Sequence, residues 1–287
     1  MNNSQPDYGD SGMEENIRPL PRPMVQHQYL RLAAGELHFA EAGNGRPLVL
    51  LHGGHGSWVH WIANIDALAQ HCRVLVLDMP GFGGSYDPGQ PPTLDEYRLV
   101  VDELLASLAL ENVALVGFSF GSIVATAVAL ANPDRVSSLS IVNPPGTGAR
   151  TAQAAALPGE LSTIARAYGL QAGITASLQR LMLSDADLVT PELVKLISGC
   201  VTETRHVTRD LSRNAGIVDL LQNITQKTQI LIGAKDPYQR HIIVNHGEEL
   251  RRRLPRADIR IVPGAAHWLQ YEQAEAFNRL LLEFIGH

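Results

Sequence analysis

The chain has 287 residues, 45% hydrophobic and 18% charged, with a formal net charge of −6 and a pI near 6.0. That length and apolar content suffice for one large α/β core, since such domains reach ~250 residues as a unit. The acidic balance excludes the basic surface on which sequence-independent nucleic-acid binding depends.

Residues 1–25 open polar, acidic and proline-bearing, without an apolar signal-peptide core, and read as a disordered tail. The two cysteines, Cys72 and Cys200, lie far apart and fit no metal spacing. Free thiols of this kind suit a reducing, cytoplasmic setting better than a disulfide framework. "YLRLAAGELHFAEAG" is expected to be an antiparallel hairpin about an Ala-Gly turn. "PLVLLHG" is a continuous apolar run, the signature of a strand buried on both faces of a parallel sheet. A glycine-rich turn follows, and then "WVHWIANIDALAQ" shows helical spacing. "CRVLVLDM" is the next buried strand. "TLDEYRLVVDELLASLAL" is an amphipathic helix with Thr93 as N-cap and Glu96 three residues on.

"NVALVGFS" leads into a helix from about Phe120 to Asn132. Val113 to Ala131 carries no charge and matches a bilayer span in length, but its strand-like and helix-like halves point to a buried strand–turn–helix. "VSSLSIVNPP" is a further strand. From Pro145 to Thr225 the pattern turns helical, with "LQRLMLSD" and "PELVKLISGCV" and no buried strand. The alternation returns at "TQILIGAKD", "NHGEELRRRL", "ADIRIVPGAAH" and "EQAEAFNRLLLEFI". Strand and helix alternating with short links imply a mostly parallel sheet flanked by helices. The division is therefore core at 26–144 and 226–287, with a helical insertion at 145–225.

"GFSFG" satisfies G-x-S-x-G between a strand and a helix, the context that motif requires. A serine there sits on a tight turn with small residues on either side, and the helix N-terminus offers N–H groups to a developing oxyanion. Serine needs a base, and the base needs an orienting acid. In chain order Ser, Asp, His, the strand ends supply Ser119, Asp236 and His267. Asn143 stands at the alternative strand end, and Asp236 is preferred as the acid. The oxyanion donors are expected at Phe120 and in "HGGHGSW", at Gly54 with Gly53 as fallback. Trp268, beside the base, is the preferred pocket aromatic over Trp58 and Trp61.

Other features carry less. "GFGGS" at Gly81 to Ser85 lacks the lysine and spacing of a phosphate loop. His52, His55 and His60 crowd together without the carboxylate pattern of a metal site. Arg251, Arg252 and Arg253 read as a solvated helix face. The sequence calls for no metal and no organic cofactor, and it leaves open whether copies assemble as a homo-oligomer.

These motifs, in this order and spacing, make the chain resemble the α/β-hydrolase superfamily over Gln26 to His287. The resemblance implies the α/β-hydrolase fold, a Ser119–Asp236–His267 triad, a cap domain at 145–225, and a small-molecule substrate. "HWLQYEQAEAFNRLLLEFI" and "LQRLMLSDADLVTPEL" are similar to the meta-cleavage-product hydrolases, which cut a C–C bond in dienoate ring-fission products. That group places Gly-Pro-Gly where this chain has "GGHGSW", and a substrate-gripping arginine where this chain has Ile197. The expected activity is hydrolysis of an ester, a thioester or an activated C–C bond. The alternatives are a non-catalytic small-molecule receptor on the same fold and a cofactor-free perhydrolase.

Overall fold

The computed structural model describes residues 19–147, 152–214, 216–245 and 247–286. The tail reading at 1–25 therefore lies, up to residue 18, outside the described residues. Eight strands form one sheet: β1 (Gln26–Arg31), β2 (Glu36–Ala42), β3 (Pro47–Leu51), β4 (Arg73–Leu77), β5 (Val113–Phe118), β6 (Val136–Val142), β7 (Lys227–Gly233) and β8 (Asp258–Val262). Their spatial order is β1-β2-β4-β3-β5-β6-β7-β8. The pairs β1–β2 and β2–β4 are antiparallel, and every pair from β4 across to β8 is parallel.

The continuous apolar runs are explained by the two sheet faces. Val49 and Leu51 belong to one core cluster, while Leu48 and Leu50 belong to the other. Alternate side chains thus serve opposite faces, and neither face meets water. Helix α1 (Ile65–Ala69) packs on the Leu48 face, and α2 (Leu94–Ser107) and α3 (Phe120–Ala131) pack on the Val49 face. Helix α2 starts at a capping box: Thr93 Oγ1 accepts from the Glu96 amide at 3.2 Å, and Glu96 Oε2 accepts from the Thr93 amide at 2.7 Å.

Among the described residues, five α-helices lie between β6 and β7: α4 (Ala152–Tyr168), α5 (Leu170–Ser177), α6 (Pro191–Thr202), α7 (Arg209–Asn214) and α8 (Ile217–Gln222). No strand occurs there among the described residues. The C-terminal part adds α9 (Arg240–Ile243), α10 (Glu248–Arg253), α11 (Leu269–Glu272) and α12 (Ala274–Ile285), the last burying Phe277, Leu281 and Ile285.

Two expected helices are interrupted, both by tertiary hydrogen bonds. "WVHWIANIDALAQ" splits into a 3-10 turn at Trp58–Trp61 and the short α1. The Trp58 amide donates to Asp78 Oδ1 at 2.7 Å, and the Asn64 side chain donates to Gln270 O and Asn278 Oδ1. "LQRLMLSD" winds as a π-turn over Leu178–Met182 and then extends at Leu183. The carbonyls of Leu181 and Met182 are turned outward and accept from the His267 and Trp268 amides at 3.2 and 2.8 Å.

No described helix is long and apolar enough to cross a membrane. The uncharged stretch from Val113 to Ala131 is β5 followed by α3. Both cysteines are buried and free.

Candidate active site

Ser119 occupies the single-residue turn between β5 and α3, with φ 48° and ψ −117°. A non-glycine residue with that φ is strained, and strain concentrates where a side chain must be held in place. The flanking glycines are what the turn demands. A Cβ on Gly117 would lie 2.3 Å from Gly121 O, and one on Gly121 would lie 2.5 Å from Leu51 O. Strand and helix therefore approach closely enough to lift the Ser119 hydroxyl over the carboxyl end of the sheet.

Asp236 follows β7 and His267 follows β8, so neighbouring strand ends deliver both. Asp236 is 1% exposed and His267 7%. Asp236 Oδ2 lies 2.7 Å from His267 Nδ1, and Asp236 Oδ1 accepts from the Tyr238 amide at 2.8 Å. His267 Nε2 lies 3.1 Å from Ser119 Oγ. The carboxylate accepts from Nδ1–H, which leaves the Nε2 lone pair facing the serine hydroxyl. The structure thus brings Ser119, Asp236 and His267 into one hydrogen-bonded chain.

Asn143 lies at the end of β6 with φ 44° and no exposure. Its amide nitrogen donates to Ala266 O and His267 O at 3.1 and 2.8 Å, and its Oδ1 accepts from the Gly233 amide at 2.8 Å. It ties the histidine loop to the end of β7 and does not contact the imidazole as an acid would. Glu272 is a second bracket that the sequence reading passes over. Its carboxylate accepts from the Ser184 amide and hydroxyl, the Asp185 amide and the Ala266 amide, all at 2.6–2.9 Å. The available signal was an acid five residues past the histidine.

The turn after β3, where the oxyanion donors are expected, is organised by two histidines. His52 Nδ1 donates to Gly53 O at 2.7 Å, and its Nε2 accepts from the Met79 amide at 3.0 Å. His60 Nδ1 accepts from the Gly53 amide at 3.2 Å. Gly53 is therefore committed, which removes it as an oxyanion donor. Among the described residues no protein acceptor takes the Gly54 or Phe120 amide, and both residues line the cavity with Ser119. The Thr208 hydroxyl closes on Gly54, 2.8 Å from where a Cβ would stand.

Both histidines depend on a ring lone pair, and burial lowers their pKa. His52 is held below the ordinary range by desolvation against a counteracting Asp78. His60 is held well below it by desolvation, then by His52, His267 and His55. A histidine pKa depressed by folding means that the unfolded chain alone takes up the proton below pH ~6.5. Stability is expected to fall as pH drops beneath that value, until each buried ring itself takes up a proton in the folded state, and to be insensitive to these groups above it. Urea unfolding at stepped pH values tests this. The slope should flatten in His60→Gln, and a wild-type midpoint unchanged across that range would contradict it.

The cavity above Ser119 measures about 720 Å³, within the ligand-site range. Its walls are largely apolar, with Leu161, Ile174, Leu178, Met182, Ile197 and Val201 from the helical insertion. Arg209 also lines it, and so does His55, whose φ is 58°. Trp268 does not, which corrects the pocket assignment. It is fully buried, stacked on Tyr271 at 4.2 Å, with its indole N–H donating to His60 O at 2.8 Å. Its ring completes the core beneath the base because that N–H finds a buried carbonyl. Trp61 is likewise fully buried, and Trp58 lies edge-on to His27.

The model of the alpha/beta hydrolase family matches residues 48–280, so the chain belongs to that family. A relative from Burkholderia cepacia, a 2-hydroxy-6-oxo-6-phenylhexa-2,4-dienoate hydrolase, is 29% identical over 87% of this chain and 91% of its own. A 2-hydroxy-6-oxononadienedioate/2-hydroxy-6-oxononatrienedioate hydrolase from Paraburkholderia phymatum is 31% identical over the same shares. Among solved structures, a Bacillus subtilis carboxylesterase matches with a TM-score of 0.76 and 22% identity over 93% of both chains. That last likeness concerns the fold.

Proposed function

We propose that this chain is a serine hydrolase that cleaves a small-molecule ester with a largely apolar acyl or aryl body. The observation that carries this reading is the Asp236–His267–Ser119 chain, at 2.7 and 3.1 Å, beneath an apolar cavity. His267 Nε2 takes the Ser119 proton as Oγ adds to the substrate carbonyl. The Gly54 and Phe120 amides hold the resulting oxyanion, and Asp236 stabilises the imidazolium. Collapse breaks the acyl–oxygen bond, and His267 returns its proton to the leaving alkoxide. A water deprotonated by His267 then attacks the acyl-enzyme, releases the carboxylic acid and restores Ser119. The helices of 145–225 act as a cap whose apolar side chains select the substrate.

A second reading is hydrolysis of an activated C–C bond. Two observations favour it: the named activities of relatives covering 87% of the chain, and Arg209 in the cavity wall as a cation for a substrate carboxylate. Ile197 lines the cavity where the resemblance implies an arginine, so Arg209 would serve from another helix.

Parallel measurement of kcat/KM on p-nitrophenyl butyrate and on a coloured ring-fission dienoate separates the two. The expected result is ester turnover exceeding dienoate turnover. The reverse order, with loss of dienoate turnover in Arg209→Ala, would establish the second reading. Tight ligand binding with turnover of neither would replace both by a receptor.

A further inference from the structure

The histidine loop and the helical insertion share one buried carboxylate. Glu272 ends α11, is 5% exposed, and is surrounded by neutral donors. Its two oxygens face different partners. Oε1 accepts from the Ser184 amide and hydroxyl, both at 2.6 Å, and from the Asp185 amide at 2.9 Å, all in the insertion. Oε2 accepts from the Ala266 amide at 2.6 Å, one residue before His267. A buried carboxylate is costly unless donors surround it, and bonds to a charged acceptor are roughly twice as strong as neutral ones. The carboxylate therefore fastens the two segments to each other.

The segment that ends at Ser184 and Asp185 meets the base loop on one side and the cavity on the other. Its Leu181 and Met182 carbonyls take the His267 and Trp268 amides at 3.2 and 2.8 Å. Leu178, Leu181 and Met182 line the cavity. The Ala266 and His267 carbonyls accept from the Asn143 side chain. Every backbone polar group of residues 266 and 267 thus has its partner. Both amides are held from the insertion, that of His267 by Leu181 directly and that of Ala266 through Glu272.

We propose that Glu272 is a positioning residue for His267, and that it makes the aim of Nε2 at Ser119 depend on where segment 181–185 of the insertion sits. The effect on turnover rests on the serine-hydrolase reading, while the placement of the imidazole does not require Ser119 to react.

Glu272→Gln separates the two ends at nearly constant volume. Its amide oxygen keeps the three insertion donors, and its NH2 is turned on the Ala266 N–H, which loses its acceptor. Misplacing a catalytic group by about 1 Å costs on the order of 100-fold, so kcat on p-nitrophenyl butyrate should fall at least about tenfold, with KM within about twofold of the wild type. A purely structural carboxylate would lower the melting temperature and leave kcat unchanged below the transition. Leu281→Ala, in a core residue of α12 that lines no part of the cavity, is the control for that behaviour at matched destabilisation. Ser184→Ala removes one insertion donor and leaves the carboxylate in place. Its smaller loss of kcat should be non-additive with Glu272→Gln, where the path to Ala266 is already cut. It also carries the comparison if the glutamine variant fails to fold.

The His267 Nδ1 proton, held by Asp236 at 2.7 Å, supplies an arm independent of turnover. It should give a far-downfield proton resonance, assigned by its loss in His267→Gln. That resonance should shift and exchange faster in Glu272→Gln, and stay in place in Leu281→Ala. Wild-type kcat in Glu272→Gln, an equal loss of kcat in Leu281→Ala, or additivity with Ser184→Ala overturns the positioning role. So does a resonance unchanged in Glu272→Gln or missing from the wild type. A resonance that moves in a protein that turns over no ester overturns the hydrolase reading and keeps the positioning role.

Discussion

Ser119→Ala is expected to lower kcat on the best ester by three to six orders of magnitude while leaving the thermal midpoint close to that of the wild type. In the proposed mechanism the hydroxyl forms the acyl bond, so its removal leaves only the proposed oxyanion amides and the positioning of the cavity. Those account for the residual rate above the uncatalysed reaction. The fold should tolerate the change because Ser119 Oγ touches His267 and supports no other described hydrogen bond. The strained φ of 48° is unrelieved by alanine, so no compensating stabilisation is expected. Steady-state rates beside a melting curve make the measurement. Turnover within tenfold of the wild type would sink the nucleophile assignment, and a collapse of the melting curve would leave a structural role as the reading.

Gly121→Ala should produce the opposite pairing, with stability and activity lost together. Its new Cβ would stand 2.5 Å from Leu51 O and 2.6 Å from His52 O, both backbone atoms that cannot rotate away. Relief requires α3 to move off β3, and such overpacking costs about 1–3 kcal/mol or more. For a domain of this size each kcal/mol lowers the melting temperature by roughly 2–4 °C. The shift also carries the Phe120 amide with it, because Phe120 opens the same helix. A displacement of that donor is expected to reduce kcat at least tenfold, since oxyanion donors act only within hydrogen-bond reach. Differential scanning calorimetry with kcat measured well below the transition tests both halves. A variant with unchanged melting and unchanged kcat would show that the strand–helix contact is looser than these distances require.

Much of this site was legible in one dimension because strand ends are legible. A continuous apolar run that stops at a polar or small residue marks where a buried strand leaves the sheet, and three such ends bear Ser119, Asp236 and His267. The alternation of elements puts these ends on one edge of the sheet, because parallel strands with right-handed crossovers deliver the loops after them to the same side. The glycine at 117 was readable for a similar reason, since it is crowded by Gly121 O four residues on, whereas Gly121 is crowded by Leu51 O from β3. The mostly parallel sheet and the assignment to the alpha/beta hydrolase family follow that pattern, while the strand order, with β3 between β4 and β5, was decided by tertiary packing.

What the chain could not declare locally was decided by contacts between distant segments. Trp268 stands next to His267, yet its ring points into the core, because the carbonyl that satisfies its N–H belongs to His60, more than two hundred residues earlier. The choice between Gly53 and Gly54 rests on the His60 ring reaching back across a 3-10 turn, where a continuous helix was expected. Asn143 stands at the alternative strand end, and tertiary packing made it a clamp between two loops. Local sequence determines strand, turn and the chemistry offered at each strand end. Orientation and hydrogen-bond partners are set only when the sheet brings those ends within a few ångströms, since a hydrogen bond is decided by distance and angle and not by residue type.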